Sequence, residues 1–226
     1  MIKKDSIFEG MKYTVSYPSS YSKGKQYPII LFLHGAGSRG SDISLLKSNP
    51  YFLITDKIKD FPFITIAPLC HKNTWFDLFE TLKRFVLYFT ESDYVDINRV
   101  YVMGASMGGY ATWQLAMSMP ERFAAVVPIC GGGMYWNADR LVNVPVWAFH
   151  GEKDAIVFVD ESKKMVKAVN NTGGKAKLTI YPENGHDAWS DTYANRQVYS
   201  WLLTNTNIKE DTNDTMDHFQ GSISFG

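Results

Sequence analysis

Ser106 stands in Gly104-Ala105-Ser106-Met107-Gly108-Gly109, after the apolar run Val100-Tyr101-Val102-Met103 and before a helical pattern. A strand that turns so sharply into a helix brings backbone against backbone on both sides of the serine. Residues without side chains tolerate this, and the turn lifts the hydroxyl above the sheet edge. The helix also aims its free N–H groups and positive dipole end at the serine, where negative charge would develop during acyl transfer. A serine hydroxyl needs a base, and the base needs a group to orient it. Val146-Trp147-Ala148-Phe149-His150-Gly151-Glu152-Lys153-Asp154 places a carboxylate just past a strand. Leu178-Thr179-Ile180-Tyr181 then leads through Pro182-Glu183-Asn184-Gly185 to His186.

These spacings assign Ser106 as nucleophile, His186 as general base and Asp154 as the acid that orients it. Asp154 is preferred to Glu152 by its position after the strand, although it is also placed to cap a helix beginning near Ile156. His186 is preferred to His34, His71, His150 and His218 on the same ground. Upstream, Leu31-Phe32-Leu33-His34-Gly35-Ala36-Gly37 ends an apolar strand in a turn that can present backbone N–H groups to a substrate oxygen. The oxyanion donors are expected to be the N–H groups of Ala36 and Met107, with Gly37 as an alternate. The His34 side chain is expected only to bond backbone.

Positioning such groups requires strands that all end at one edge. Short β-branched runs alternate here with longer helical patterns, the signal for a parallel sheet covered on both faces. Strands are expected at 12–17, 29–34, 63–67, 100–103, 125–129, 144–149 and 177–181, and helices near 41–47, 77–91, 107–119, 158–170 and 189–204. Several strands, Ile29-Ile30-Leu31-Phe32-Leu33 above all, are continuously apolar, as burial on both faces demands. Pro120 and Thr172-Gly173-Gly174 read as helix stops. The reading is one α/β catalytic domain over residues 1–204 and a polar tail or surface strap over 205–226.

The 226 residues are 45% hydrophobic and 15% aromatic, enough for a sizeable core. Twenty-three basic and 23 acidic side chains cancel, so no global field favours nucleic acid or an anionic membrane. Cys70 and Cys130 each lie beside an apolar strand and read as buried thiols without metal-ligand spacing. Neither an apolar signal segment nor a run of about 20 apolar residues occurs, so a cytoplasmic location is the expectation. No metal or cofactor is called for.

Together, His-Gly-Ala-Gly, Gly-Ala-Ser106-Met-Gly-Gly, His-Gly-Glu-Lys-Asp154 and Gly-His186-Asp-Ala-Trp resemble the α/β-hydrolase superfamily over about Lys12 to Leu203. The chain order Ser, Asp, His is the order of that superfamily. More narrowly the motifs are similar to its compact bacterial carboxylesterases: polyhydroxybutyrate-depolymerase-like, feruloyl and acetyl-xylan esterases and the "predicted peptidase" group. The resemblance implies a serine nucleophile, and the cysteine found at that position in dienelactone hydrolases is absent. Ser106 and Asp154 are only 48 positions apart, and a helix, two strands and a loop fill the interval, so no inserted lid domain is expected.

The implied activity is hydrolysis of short-chain, acetyl or hydroxycinnamoyl esters, including esters on plant polysaccharide, through an acyl-enzyme. The implied partner is a small-molecule or polysaccharide-linked ester, with no nucleic acid, no membrane and an undetermined oligomeric state. A serine peptidase using the same triad is the alternative, and a catalytically silent binding protein on a hydrolase scaffold is the third reading. Trp75 and Trp136 are expected to contact substrate, ahead of Tyr135 and Trp189. Arg39 is expected to meet a surface acid or, failing that, a substrate carboxylate.

Overall fold

The computed structural model describes residues 1–207. Its eight strands form one sheet: β1 (Ile2–Phe8), β2 (Met11–Tyr17), β3 (Tyr27–Leu33), β4 (Ile64–Pro68), β5 (Val95–Ala105), β6 (Ala125–Ile129), β7 (Val146–Gly151) and β8 (Ala176–Tyr181). The spatial order is β1-β2-β4-β3-β5-β6-β7-β8. β1 and β2 pair antiparallel, as do β2 and β4, and every pairing from β4 onward is parallel.

Seven α-helices accompany the sheet among the described residues: α1 (Ser44–Lys47), α2 (Pro50–Thr55), α3 (Phe79–Thr90), α4 (Met107–Ser118), α5 (Asp160–Asn171), α6 (Trp189–Ala194) and α7 (Arg196–Leu203). The continuously apolar central strands divide their side chains between two cores. Ile29, Leu31 and Leu33 of β3 face one built with α3, α4 and α5, while Ile30 and Phe32 face one built with α1, α2, α6 and α7. Period-two alternation between two covered faces is why these strands read as unbroken apolar runs.

Because β3 to β8 are parallel, their carboxyl ends share an edge. Leu33 pairs with Gly104, Ala105 with Ile129, Ile129 with Phe149, and Gly151 with Tyr181. The chain passes outward from β3 to β4, then returns to place β5 on the other side of β3. That reversal leaves a crevice between the ends of β3 and β5, the usual ligand position in such sheets. Between Ser106 and Asp154 the chain forms only α4, β6, β7 and two 3₁₀ segments, so no lid is inserted.

Three elements depart from the sequence reading. β1 was not expected, since its side chains are nearly all exposed; it is held by a hairpin whose turn residues Glu9 and Gly10 both take positive φ (47° and 81°). α2 was also missed, although Asn49, whose side chain accepts from the Tyr51 N–H at 2.9 Å, and Pro50 at the first position make a legible start. The helix expected over 189–204 is two, because Asn195 leaves the helical conformation and caps α7. The start of the polar tail is tied down: Tyr101 donates to the Asn205 carbonyl, and the Asn207 N–H to that of Asn98. Residues 208–226, including His218, Phe219, Ile223 and Phe225, lie outside the described residues. No helix among the described residues is long and apolar enough to cross a membrane.

Candidate active site

Ser106 links β5 directly to α4 with φ 55° and ψ −118°, a strained backbone for a residue bearing a side chain. Steric necessity enforces the turn. A Cβ on Gly104 would lie 2.4 Å from the Gly108 carbonyl oxygen, and one on Gly108 only 1.9 Å from that of Leu33. The Ser106 N–H is tied to the Ile129 carbonyl at 2.8 Å, which fixes the turn to β6.

Asp154 and His186 arrive on the loops after β7 and β8. His186 Nε2 lies 2.8 Å from Ser106 Oγ, and His186 Nδ1 lies 2.7 Å from Asp154 Oδ2. The other carboxylate oxygen accepts from the N–H groups of Ile156 (2.9 Å) and Val157 (3.0 Å). Burial works against the Asp154 charge, but the His186 bond and these two N–H groups outweigh it and hold the carboxyl below the usual carboxylate range. Glu152 instead faces outward toward Lys163. Of the other described histidines, His71 is exposed and His34 and His150 are fully buried.

The turn after β3 is a 3₁₀ segment, Ala36–Ser38. The N–H groups of Ala36 and Met107 each stand first in a helical segment, where no intrahelical acceptor exists. His34 braces this turn from beneath, its Nδ1 donating to the Gly35 carbonyl at 2.7 Å and its Nε2 accepting from the Cys70 N–H at 3.0 Å. Burial pushes the imidazole down to about 4, against the pull of the Gly35 carbonyl, so it is a neutral strut. Arg39 forms no ion pair among the described residues; it donates to the carbonyls of Ala36 and Asn73 and lines an open cleft with His71, Lys72 and Asp77.

A cleft of about 560 Å³ opens over Ser106 and His186, bounded by the Gly35–Ser38 turn, Asn49, Ile156, Trp189 and Tyr193. Neither Trp75 nor Trp136 lines this cleft. Trp75 is wholly buried, donating its indole N–H to the His34 carbonyl at 2.9 Å, and so supports the turn without reaching the cleft. Trp136 is 72% exposed and packs on Tyr135, away from the residues that bound the cleft. The aromatic wall comes from Trp189, edge-on to His186 at 5.2 Å, and from Tyr193. Asn49, Ile156 and Tyr193 were missed; only Ile156, two residues past the acid, carried a positional signal.

Cys130, His150 and Asp154 bring three potential metal-ligating atoms within 4.8 Å of one another. Their bonding already engages them: Cys130 donates its S–H to the His186 carbonyl at 3.2 Å, and burial pushes that thiol up to about 12. His150 Nε2 lies 2.8 Å from the Val157 carbonyl, which can only accept, so that nitrogen carries hydrogen. The trio is a hydrogen-bonded support for the acid. Both cysteines are buried and free.

The dienelactone hydrolase family matches residues 65–222. Dipeptidyl-peptidase 5 of Porphyromonas gingivalis is 23% identical over 83% of this chain and 35% of its own length. A protein of Aspergillus terreus named "Probable feruloyl esterase C" is 24% identical over 78% of this chain and 67% of its own. The crystal structure of a thermostable esterase superposes with a TM-score of 0.75 and 30% identity, covering 91% of this chain and 63% of that one. This chain thus spans about a third of the peptidase and under two thirds of the thermostable esterase.

Proposed function

This chain belongs to the dienelactone hydrolase family, and we propose that within it the protein is a serine carboxylic-ester hydrolase acting on short-chain, acetyl or hydroxycinnamoyl esters, free or on plant polysaccharide. The observation that carries the reading is the unbroken relay from Ser106 Oγ through His186 to Asp154, with links of 2.8 and 2.7 Å. His186 Nε2 takes the Ser106 proton as Oγ attacks the ester carbonyl, while Asp154 holds the Nδ1–H tautomer and balances the imidazolium. The N–H groups of Ala36 and Met107 receive the oxyanion. His186 returns the proton to the leaving alcohol, and water activated by the same nitrogen then releases the acyl group from Ser106.

An ester substrate is supported by the open cleft, by its Trp189 and Tyr193 wall, and by the similarity to proteins named as esterases. The similarity to dipeptidyl-peptidase 5 favours a second reading, a peptidase using the same three residues. The test is hydrolysis of p-nitrophenyl acyl esters, methyl ferulate, acetylated xylan and a peptide p-nitroanilide by the wild type and Ser106→Ala. Serine-dependent ester cleavage without anilide cleavage is expected. Serine-dependent anilide cleavage would replace the ester reading, and serine-independent turnover would remove both.

A further inference from the structure

Two buried imidazoles lie outside the triad, His34 beneath the Gly35 turn and His150 beside Asp154. His150, the last but one residue of β7, has no exposed surface, and every polar atom on its ring has a partner. Its Nε2 lies 2.8 Å from the Val157 carbonyl and 3.3 Å from Asp154 Oδ2, the same carboxylate oxygen that His186 Nδ1 contacts. Its Nδ1 lies 2.7 Å from Ser162 Oγ on α5, which lies 3.1 Å from the Gly131 carbonyl. Both Nε2 partners are acceptors, so the Nε2–H dipole points its positive end at them.

We propose that His150 is a positioning residue of this site, holding Asp154 in place and sharing the negative charge of its Oδ2 with His186. It acts by two routes. The direct one is the 3.3 Å approach to Oδ2. The indirect one runs through Val157, whose carbonyl accepts from His150 and whose N–H donates to Asp154 Oδ1, so the ring locks the 154–157 turn that carries the acid. With Ile156, Val157, His186 and His150 around it, the carboxylate has a partner for each of its roughly four lone-pair sites. The titratable groups facing this unit are Asp154, His186 and the neutral thiol of Cys130, with Tyr110 and Glu161 of α4 and α5 nearby; the hydroxyl of Ser162 closes the α5 side.

The proposal rests on the serine-hydrolase reading, and its test is built to fail separately. His150→Phe keeps the ring volume and removes both nitrogens; His150→Gln returns one donor near Nε2. For His150→Phe, kcat is expected to fall about tenfold to a hundredfold with KM within about twofold. His150→Gln should recover most of the lost kcat. A folded His150→Phe with wild-type kcat would overturn the proposal. Should that variant not fold, ¹⁵N spectra of the wild type and Asp154→Asn decide: the His150 Nε2 resonance is expected to shift, and an unchanged resonance overturns the proposal. Because that spectrum needs no turnover, it judges the His150–Asp154 coupling even if Ser106→Ala proves active.

Discussion

The two halves of the site are built on different physical terms. On the serine side, Gly104, Ser106 and Gly108 fall within one pentapeptide, and the turn is enforced by repulsion: the backbone leaves 1.9 Å where a Cβ on Gly108 would go. On the acid and base side, Asp154 and His186 stand on separate loops and are held by attraction, through bonds to Ile156, Val157 and each other. Repulsive geometry tolerates no partial loss. Bonded geometry can be dismantled one contact at a time and should give graded effects.

The largest expected effect is on turnover. Ser106→Ala should lower kcat by about 10⁴ to 10⁶ while leaving the thermal midpoint within a few degrees of wild type, because a methyl side chain fits the same turn. Asp154→Asn should lower kcat by about 10⁴ with the fold intact, since the amide favours the wrong His186 tautomer. Glu152→Gln is its control, expected within about twofold of wild type; a reversed ranking would reassign the acid.

Gly108→Ala sharpens the contrast from the serine side. Its Cβ would meet backbone, which cannot rotate away, so a loss of about 3 kcal/mol or more in urea unfolding is expected, with activity falling only as the folded fraction falls. A folded Gly108→Ala of wild-type stability would break the comparison.

The smallest effect is a pH dependence of stability. The fold lowers the His34 pKa to about 4, while the unfolded chain takes up that proton near 6.5. The unfolded state therefore binds more protons in this window, so the contribution of a neutral His34 is complete above about pH 6.5. It is lost as pH falls toward about 4, at about 1.4 kcal/mol per pH unit in the middle of the window. Urea midpoints between pH 6.5 and 5 should show this slope in the wild type and not in His34→Gln.

How much of this was legible follows the same division. The strands of the parallel half, the Ser106 turn and the placement of Asp154 and His186 after strands were readable because each leaves a local trace: an apolar run, a glycine pair, a polar residue past a strand end. The β1 hairpin left little trace, for its residues are polar and exposed and only the Glu9-Gly10 turn marks it. That Trp75 and Trp136 do not line the cleft left no trace, because indole rings suit a buried support and a substrate wall equally well. The ring that walls the cleft, Trp189, differs from the others only in where its short helix is packed.

The sequence alone determined the doubly covered, mostly parallel sheet and the placement of Ser106, Asp154 and His186 after successive strands, since period-two burial and steric exclusion act between near neighbours. Tertiary structure decided which residues meet across the sheet edge: His186 with Ser106 across 80 positions, His34 beneath the Gly35 turn, His150 on Asp154 and Ser162, and the aromatic pair facing the cleft. Such contacts depend on strand order and crossover, and neither is written in the spacing of any one segment.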